Sequence, residues 1–216
     1  MSAEKKIRAV LFDMDGVLVD AREWHFEALT RALALVGFEV SREDHTRYDG
    51  LPTFRKLELI TRDYGLPREH HSFLAERKQF FTMEIVDSRC KPDPLHEQTL
   101  AHLKQNGFRL AVCSNSKLQT VKEMLDRKRL LPYLDFYLSH QDVPKPKPDP
   151  GIYQEAMRRM GLSPDECLVV EDNVHGILAA KAAGARLMVV RSVEDVNIRN
   201  LMNHIDHGES SGANLC

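Results

Sequence analysis

The sequence is short of the features that mark several large classes of function. It has four cysteines, Cys90, Cys113, Cys167 and Cys216, widely spaced and without a C-x-x-C pair. That pattern excludes a cysteine zinc site and a disulfide scaffold, and leaves the expectation of a reduced, cytoplasmic chain. An excess of charge is also missing: Lys and Arg total 30 against 32 Asp and Glu. A near balance provides no electrostatic footprint for nucleic acid or an anionic membrane, so the expected partner is a small molecule. Long hydrophobic runs are absent as well. The apolar run near the N-terminus stops at Asp13, too soon for a signal sequence or a membrane span. No internal repeat or low-complexity tract occurs, and nothing in the sequence bears on oligomeric state.

What is present is a regular alternation. Apolar and β-branched runs at residues 7–12, 109–113, 136–139, 167–170 and 186–190 read as strands buried on both faces. Helical patterns at 95–105, 118–129, 152–160 and 175–183 lie between or after them, three of them stopping near Gly107, Gly161 and Gly184. The expected fold class is α/β, a Rossmann-like parallel sheet core. Residues 13–108 separate the first two strands, far more than one crossover helix needs. Helical spacing within 22–36, 53–64 and 73–85 predicts a small inserted helical cap domain. The expected division is a core of residues 1–19 and 88–205, a cap of 20–87 and a flexible tail of 206–216. His204, Ile205, Asp206 and His207, with no third histidine or cysteine nearby, read as surface.

The opening stretch AVLFDMDGVL raises a physical problem. Asp13 and Asp15 directly follow a run of strand formers, where a buried carboxylate is costly unless paired or metal-bound. Ligands of open α/β sheets collect beyond the carboxyl ends of the strands. Four such ends carry unusual residues: Asp13-Met14-Asp15-Gly16, Ser114-Asn115-Ser116, Lys145, and Glu171-Asp172-Asn173. Carboxylates without sulfur or imidazole favour a hard, oxygen-preferring cation, and with phosphate that cation is Mg²⁺. A lysine, a hydroxyl and backbone N–H groups suit phosphoryl oxygens.

DMDG, SNS, KPKPD and ED, in that order, resemble the four motifs of the haloacid dehalogenase (HAD) superfamily, over residues 10–191. The long insertion resembles the helical cap of its β-phosphoglucomutase-like branch. The resemblance implies that Asp13 is the nucleophile and a metal ligand, and that Asp15 is the general acid and base, with its backbone carbonyl on the metal. It implies Asp172 as a direct metal ligand and Glu171 as one acting through water. Ser114, Asn115 and Lys145 would hold the phosphate. The K-P-x-P-D register selects Lys145, leaving Lys147 as a solvated charge, although either lysine of this stiff loop could face the cleft. His25 matches a histidine of the mutase branch near the acid/base; a direct role and a plain cap-helix histidine both stay open. Residues 50–56 form a turn into a helix whose N-terminus, with Arg55 and Lys56 close by, could attract a second anionic group, or could be an ordinary helix boundary.

The expected activity is that of a Mg²⁺-dependent phosphatase acting on a small phosphate ester, a sugar or polyol phosphate, through an aspartyl phosphate. One alternative is a sugar-phosphate mutase; Ala21, where the mutase branch has Thr, argues against it. The other is a non-enzymatic phospho-acceptor switch, which Asp15 and the long insertion argue against.

Overall fold

The computed structural model describes residues 6–207. Its centre is a parallel five-stranded sheet. The strands are β1 (Ala9–Phe12), β2 (Arg109–Ser114), β3 (Phe136–Ser139), β4 (Cys167–Glu171) and β5 (Arg186–Val189), in the order β3-β2-β1-β4-β5. The α/β expectation holds, and each strand falls within a residue or two of its apolar run.

Both faces of the sheet are dry. Val10 and Phe12 join Leu110, Val112, Leu168 and Val170 in one cluster. Ala9 and Leu11 join Ala111, Cys113 and Val169 in the other. Period-two alternation therefore separates two apolar faces, which is why the strands read as unbroken apolar runs. Helices α5 (Pro94–Gln105), α6 (Leu118–Arg127) and α9 (Ile198–His207) cover the first face. Helices α7 (Gly151–Met160) and α8 (Val174–Ala183) cover the second.

Between β1 and β2 the chain leaves the sheet and forms α1 (Arg22–Ala34), α2 (Arg42–Thr46), α3 (Thr53–Tyr64) and α4 (His71–Arg89). Leu29, Leu33, Tyr48, Leu57, Ile60 and Leu74 build a third cluster of their own among these helices. Two expected boundaries shift. Helix α4 runs through residue 87 to Arg89, so the break placed after 87 falls inside a helix. Helix α9 extends to His207, and Ile205 is buried in it, so Ile205 belongs to the core rather than the surface, and residues 206 and 207 are helical rather than tail. Residues 208–216, including Cys216, lie outside the described residues.

The sheet order makes β1 a switch point. From β1 the chain goes to β2 and β3 on one side, then crosses to β4 and β5 on the other. Phe12 pairs in register with Val112 of β2 and with Val170 of β4. The residues that follow, Asp13, Cys113 with Ser114, and Glu171 with Asp172, therefore emerge side by side at the crevice where open sheets bind ligands.

Candidate active site

Asp13 is 5% exposed and Glu171 fully buried, yet both are carboxylates. Lys147 provides the compensation. Its Nζ donates to Asp13 Oδ1 at 2.7 Å and to Glu171 Oε1 at 2.6 Å. Tyr153 of α7 donates its hydroxyl to the same Glu171 oxygen. Burial alone would lower the Lys147 ammonium; Asp13 and Glu171 outweigh it and hold the pKa above the ordinary lysine value. Burial pushes Asp13 well above the usual carboxylate range, with Lys147 opposing and Glu171 and Asp172 adding to the rise.

This geometry corrects the expectation for the proline-rich loop. Lys145 is exposed and does not line the cleft, whereas Lys147 is 2% exposed and does. The physical reason is Asn115. Its Oδ1 accepts from Lys147 N at 3.0 Å, and its Nδ2 donates to Lys147 O at 3.2 Å and to Gly50 O at 2.8 Å. One side chain thus holds both the backbone N–H and the backbone C=O of Lys147 and ties them to the loop before α3. The Asn115 side chain, expected on the phosphate, is spent on these backbone groups. Ser114 is buried at the end of β2, where its Oγ accepts from Ser116 N at 3.0 Å.

Two glycines make the acidic cluster possible. At Gly16, φ is +89°, and a Cβ would lie 2.1 Å from Asp172 Oδ2, so DMDG needs its glycine for both conformation and room. At Gly176 a Cβ would stand 1.7 Å from Glu171 Oε1. The Glu171 carboxylate rests in that space against the first turn of α8, where the helix N-terminus favours negative charge. Asn173 caps the same helix, its Oδ1 accepting from His175 N and Gly176 N.

Asp13, Glu171 and Asp172 each present an oxygen, and these oxygens lie within 4.8 Å of one another. An all-carboxylate set of this kind fits a hard divalent cation such as Mg²⁺. Asp172 also accepts from Arg22 Nη2 of α1 at 2.9 Å. Burial, then Glu171, raises the Asp172 pKa, while Arg22 acts against them.

Asp15 lies beside the cluster in a different setting. Ser116 Oγ donates to its Oδ2 at 2.7 Å, and His25 Nε2 stands 3.1 Å from its Oδ1. Lys78 of α4 lies 3.0 Å from His25 Nδ1, which sets the ring nitrogen facing the ammonium as acceptor. Burial would raise the Asp15 pKa, but His25, Ser116 and Lys78 outweigh it and hold it below the ordinary carboxylate value. His25 is itself lowered, first by burial and then by Lys78. Two carboxylates two residues apart thus sit in opposite settings in the metal-free site: Asp13 is raised by burial among carboxylates whose repulsion a divalent cation would offset, and Asp15 is held ionised, as a base towards water requires.

A cavity of about 420 Å³ lies over these groups, walled by the inserted helices. Asp13, Asp15, Ser114, Asn115, Lys147 and Asp172 line its floor, and His25, Lys56 and Lys78 its opposite wall. Arg55, expected at the site, is not among the lining residues: its side chain is about half exposed and pairs with Glu58 at 3.0 Å. On helix α3 the two neighbours point apart, and Lys56 is the one that faces inward. Nothing in the sequence around Lys78 or Tyr153 marks either residue; only the packing of α4 and α7 brings them here.

The haloacid dehalogenase-like hydrolase family matches residues 7–184. The chain belongs to this family. As an HAD-like hydrolase it is 30% identical over 191 residues to a phosphorylated carbohydrates phosphatase of Thermotoga maritima, with 88% of each chain covered. It is 28% identical over 203 residues to hexitol phosphatase B of Escherichia coli, covering 91% of this chain and 89% of the relative. Its fold matches a β-phosphoglucomutase of Clostridium difficile with a TM-score of 0.80 at 21% identity, over 93% of this chain and 97% of the other. The chain is an enzyme, an HAD-like phosphatase.

Proposed function

We propose that this phosphatase hydrolyses a small phosphorylated carbohydrate, a sugar or polyol phosphate, with Mg²⁺ as its cofactor and an aspartyl phosphate as its intermediate. The observation that carries the reading is the division of labour between Asp13, clamped by Lys147 among the metal-fitting carboxylates, and Asp15, held apart by Ser116 and His25. Asp13, Asp172 and the backbone carbonyl of Asp15 would hold the ion, with Glu171 behind them. Bound there, Mg²⁺ would neutralise phosphoryl oxygens and orient the ester.

In the first half, an Asp13 carboxylate oxygen attacks phosphorus, the ester P–O bond breaks, and Asp15 gives the leaving oxygen its proton. In the second, water attacks the same phosphorus, Asp15 takes the proton, and Asp13 is released with inorganic phosphate. Lys147 and Ser114 receive the phosphoryl oxygens. Asn115 positions Lys147 and joins it to the Gly50 loop of the inserted helices α1 to α4, which we assign as a cap. Cys90, Cys113 and Cys167 are free thiols, all buried, consistent with a cytoplasmic setting. Among the described residues no helix is long and apolar enough to cross a membrane.

Hydrolysis is favoured over mutase chemistry by Ala21, which heads α1 without any side-chain cap. The test is a panel of sugar and polyol phosphates with Mg²⁺, assayed for inorganic phosphate and for phosphate isomers. Many turnovers per chain are expected, with free sugar as product and a hydroxylamine-sensitive acyl phosphate that Asp13→Asn cannot form. Isomer interconversion faster than phosphate release would replace this reading with the mutase, and stoichiometric phosphorylation without turnover with the switch.

A further inference from the structure

Two basic side chains touch the acidic cluster, and they are held very differently. Lys147 is 2% exposed and bonded to both Asp13 and Glu171. Arg22, the first residue of α1, reaches the cluster from the inserted helices: its Nη2 donates to Asp172 Oδ2 at 2.9 Å. The Arg22 side chain is 47% exposed, that of Asp172 only 3%. Among the described residues Asp172 has no other basic partner; its Oδ1 accepts from Asn173 Nδ2 at 3.3 Å. Asp172 has little room to turn away, because its Oδ2 fills the space where a Cβ of Gly16 would stand. Arg22 is long, lines the cavity and can swing into water.

We propose that Arg22 competes with the divalent cation for Asp172, so that Arg22 sets the affinity of the site and cation binding releases α1 from the end of β4. The inference rests on the Mg²⁺ part of the proposed function and goes beyond it. Asp172 is one of three carboxylates that fit the ion, and the one whose counter-charge comes from the inserted helices. Asp13, Glu171, Asp172 and Lys147, all ionised, together carry two negative charges, which a divalent cation balances without Arg22. Two cations on one carboxylate repel each other, and the partner that water can receive gives way at the lower cost. Arg22 therefore yields and Lys147 stays. By linkage, the affinity the ion loses to Arg22 equals the amount by which the ion weakens the Arg22–Asp172 pair.

The test uses the full-length protein without substrate, measuring Mg²⁺ affinity by calorimetry and the melting temperature in chelator and in saturating Mg²⁺. Arg22→Met should lower the Mg²⁺ Kd about three- to thirtyfold, between the scale of an exposed ion pair and that of a buried hydrogen bond to a charged group. It should also melt earlier than wild type in chelator, and that deficit should narrow at saturating Mg²⁺. Arg22→Lys, which keeps the charge but loses the planar fork, should give an intermediate Kd. Arg47→Met removes another cavity-lining charge, one paired with Asp44 rather than Asp172, and should leave the Kd near wild type. If Arg22→Met fails to fold, Arg22→Gln supplies the same comparisons. An unchanged or weaker affinity in the Arg22 variant overturns the inference. So does an equal gain in Arg47→Met, which would reduce the effect to general charge, or a melting deficit undiminished by Mg²⁺, which would make Arg22 a plain ion pair. Each of these leaves the Mg²⁺ reading in place, whereas wild-type protein that binds no Mg²⁺ removes both.

Discussion

Lys145 and Lys147 stand two residues apart in one proline-rich loop, and only Lys147 meets Asp13. Removing it would leave the Asp13 and Glu171 carboxylates buried and uncompensated. Breaking a buried pair in this way costs about 3–5 kcal/mol. Lys147→Met is expected to lower kcat/KM by at least about 10² and to depress the melting temperature of the folded protein, while Lys145→Ala leaves both near wild type. Steady-state phosphate release and thermal unfolding decide the point, and equal losses in both variants would show the loop register to be wrong. Lys78 provides a second test at this scale. Its folded value of about 7 lies well below the ordinary lysine value of 10.5. Between those values the unfolded chain binds more protons than the folded one, so stability rises with pH across that window. Lys56, lowered to about 8, acts with the same sign. Urea midpoints of the metal-free protein should increase less between pH 7 and 9.5 in Lys78→Met than in wild type. An identical increase would contradict the buried ammonium.

At the scale of elements, the site depends on how closely the start of α8 approaches the end of β4. Gly176 leaves the space that the Glu171 carboxylate occupies, and no rotamer change of a β-carbon can avoid an oxygen 1.7 Å away. Gly176→Ala is therefore expected to displace Glu171, loosen its bonds with Lys147 and Tyr153, and destabilise the fold by a few kcal/mol, on the order of a broken buried ion pair. Alanine normally strengthens a helix relative to glycine, by about 1 kcal/mol. A stabilised Gly176→Ala variant would thus show that helix propensity outweighs the contact. The elements themselves were legible in the chain. β1 and β4 are apolar on both faces because both faces are covered, and Gly161 and Gly184 end α7 and α8 in the left-handed conformation. The ends of α4 and α9 were not legible, since their last turns carry polar residues that continue a helix as readily as they leave it.

The whole molecule brings a sheet and a set of inserted helices together around one cavity, and its activity should depend on the cation that its carboxylates fit. Chelation is expected to abolish phosphate release, and Mg²⁺ to restore it better than Ca²⁺, whose larger and looser coordination misplaces the nucleophile. Full activity in excess chelator would remove the metal from the mechanism. Cation binding should also raise the unfolding temperature in proportion to the logarithm of its concentration, a readout independent of turnover.

The sequence by itself determined the sheet, the long insertion and the four strand ends that carry Asp13, Ser114, Asp172 and their neighbours, because burial period and turn chemistry are local properties of the chain. It also determined that Asp15 follows Asp13 by two residues, which fits the proposed acid and base beside the proposed nucleophile. Which lysine enters the site was decided only in three dimensions. Asn115, 32 residues away, binds the backbone N–H and C=O of Lys147 in the 143–148 loop, and no local pattern records those bonds. The same holds for Lys56 over Arg55. Both lie at the start of one helix, and only the packing of α3 against its neighbours turns one ammonium into the cavity and leaves the adjacent guanidinium in water.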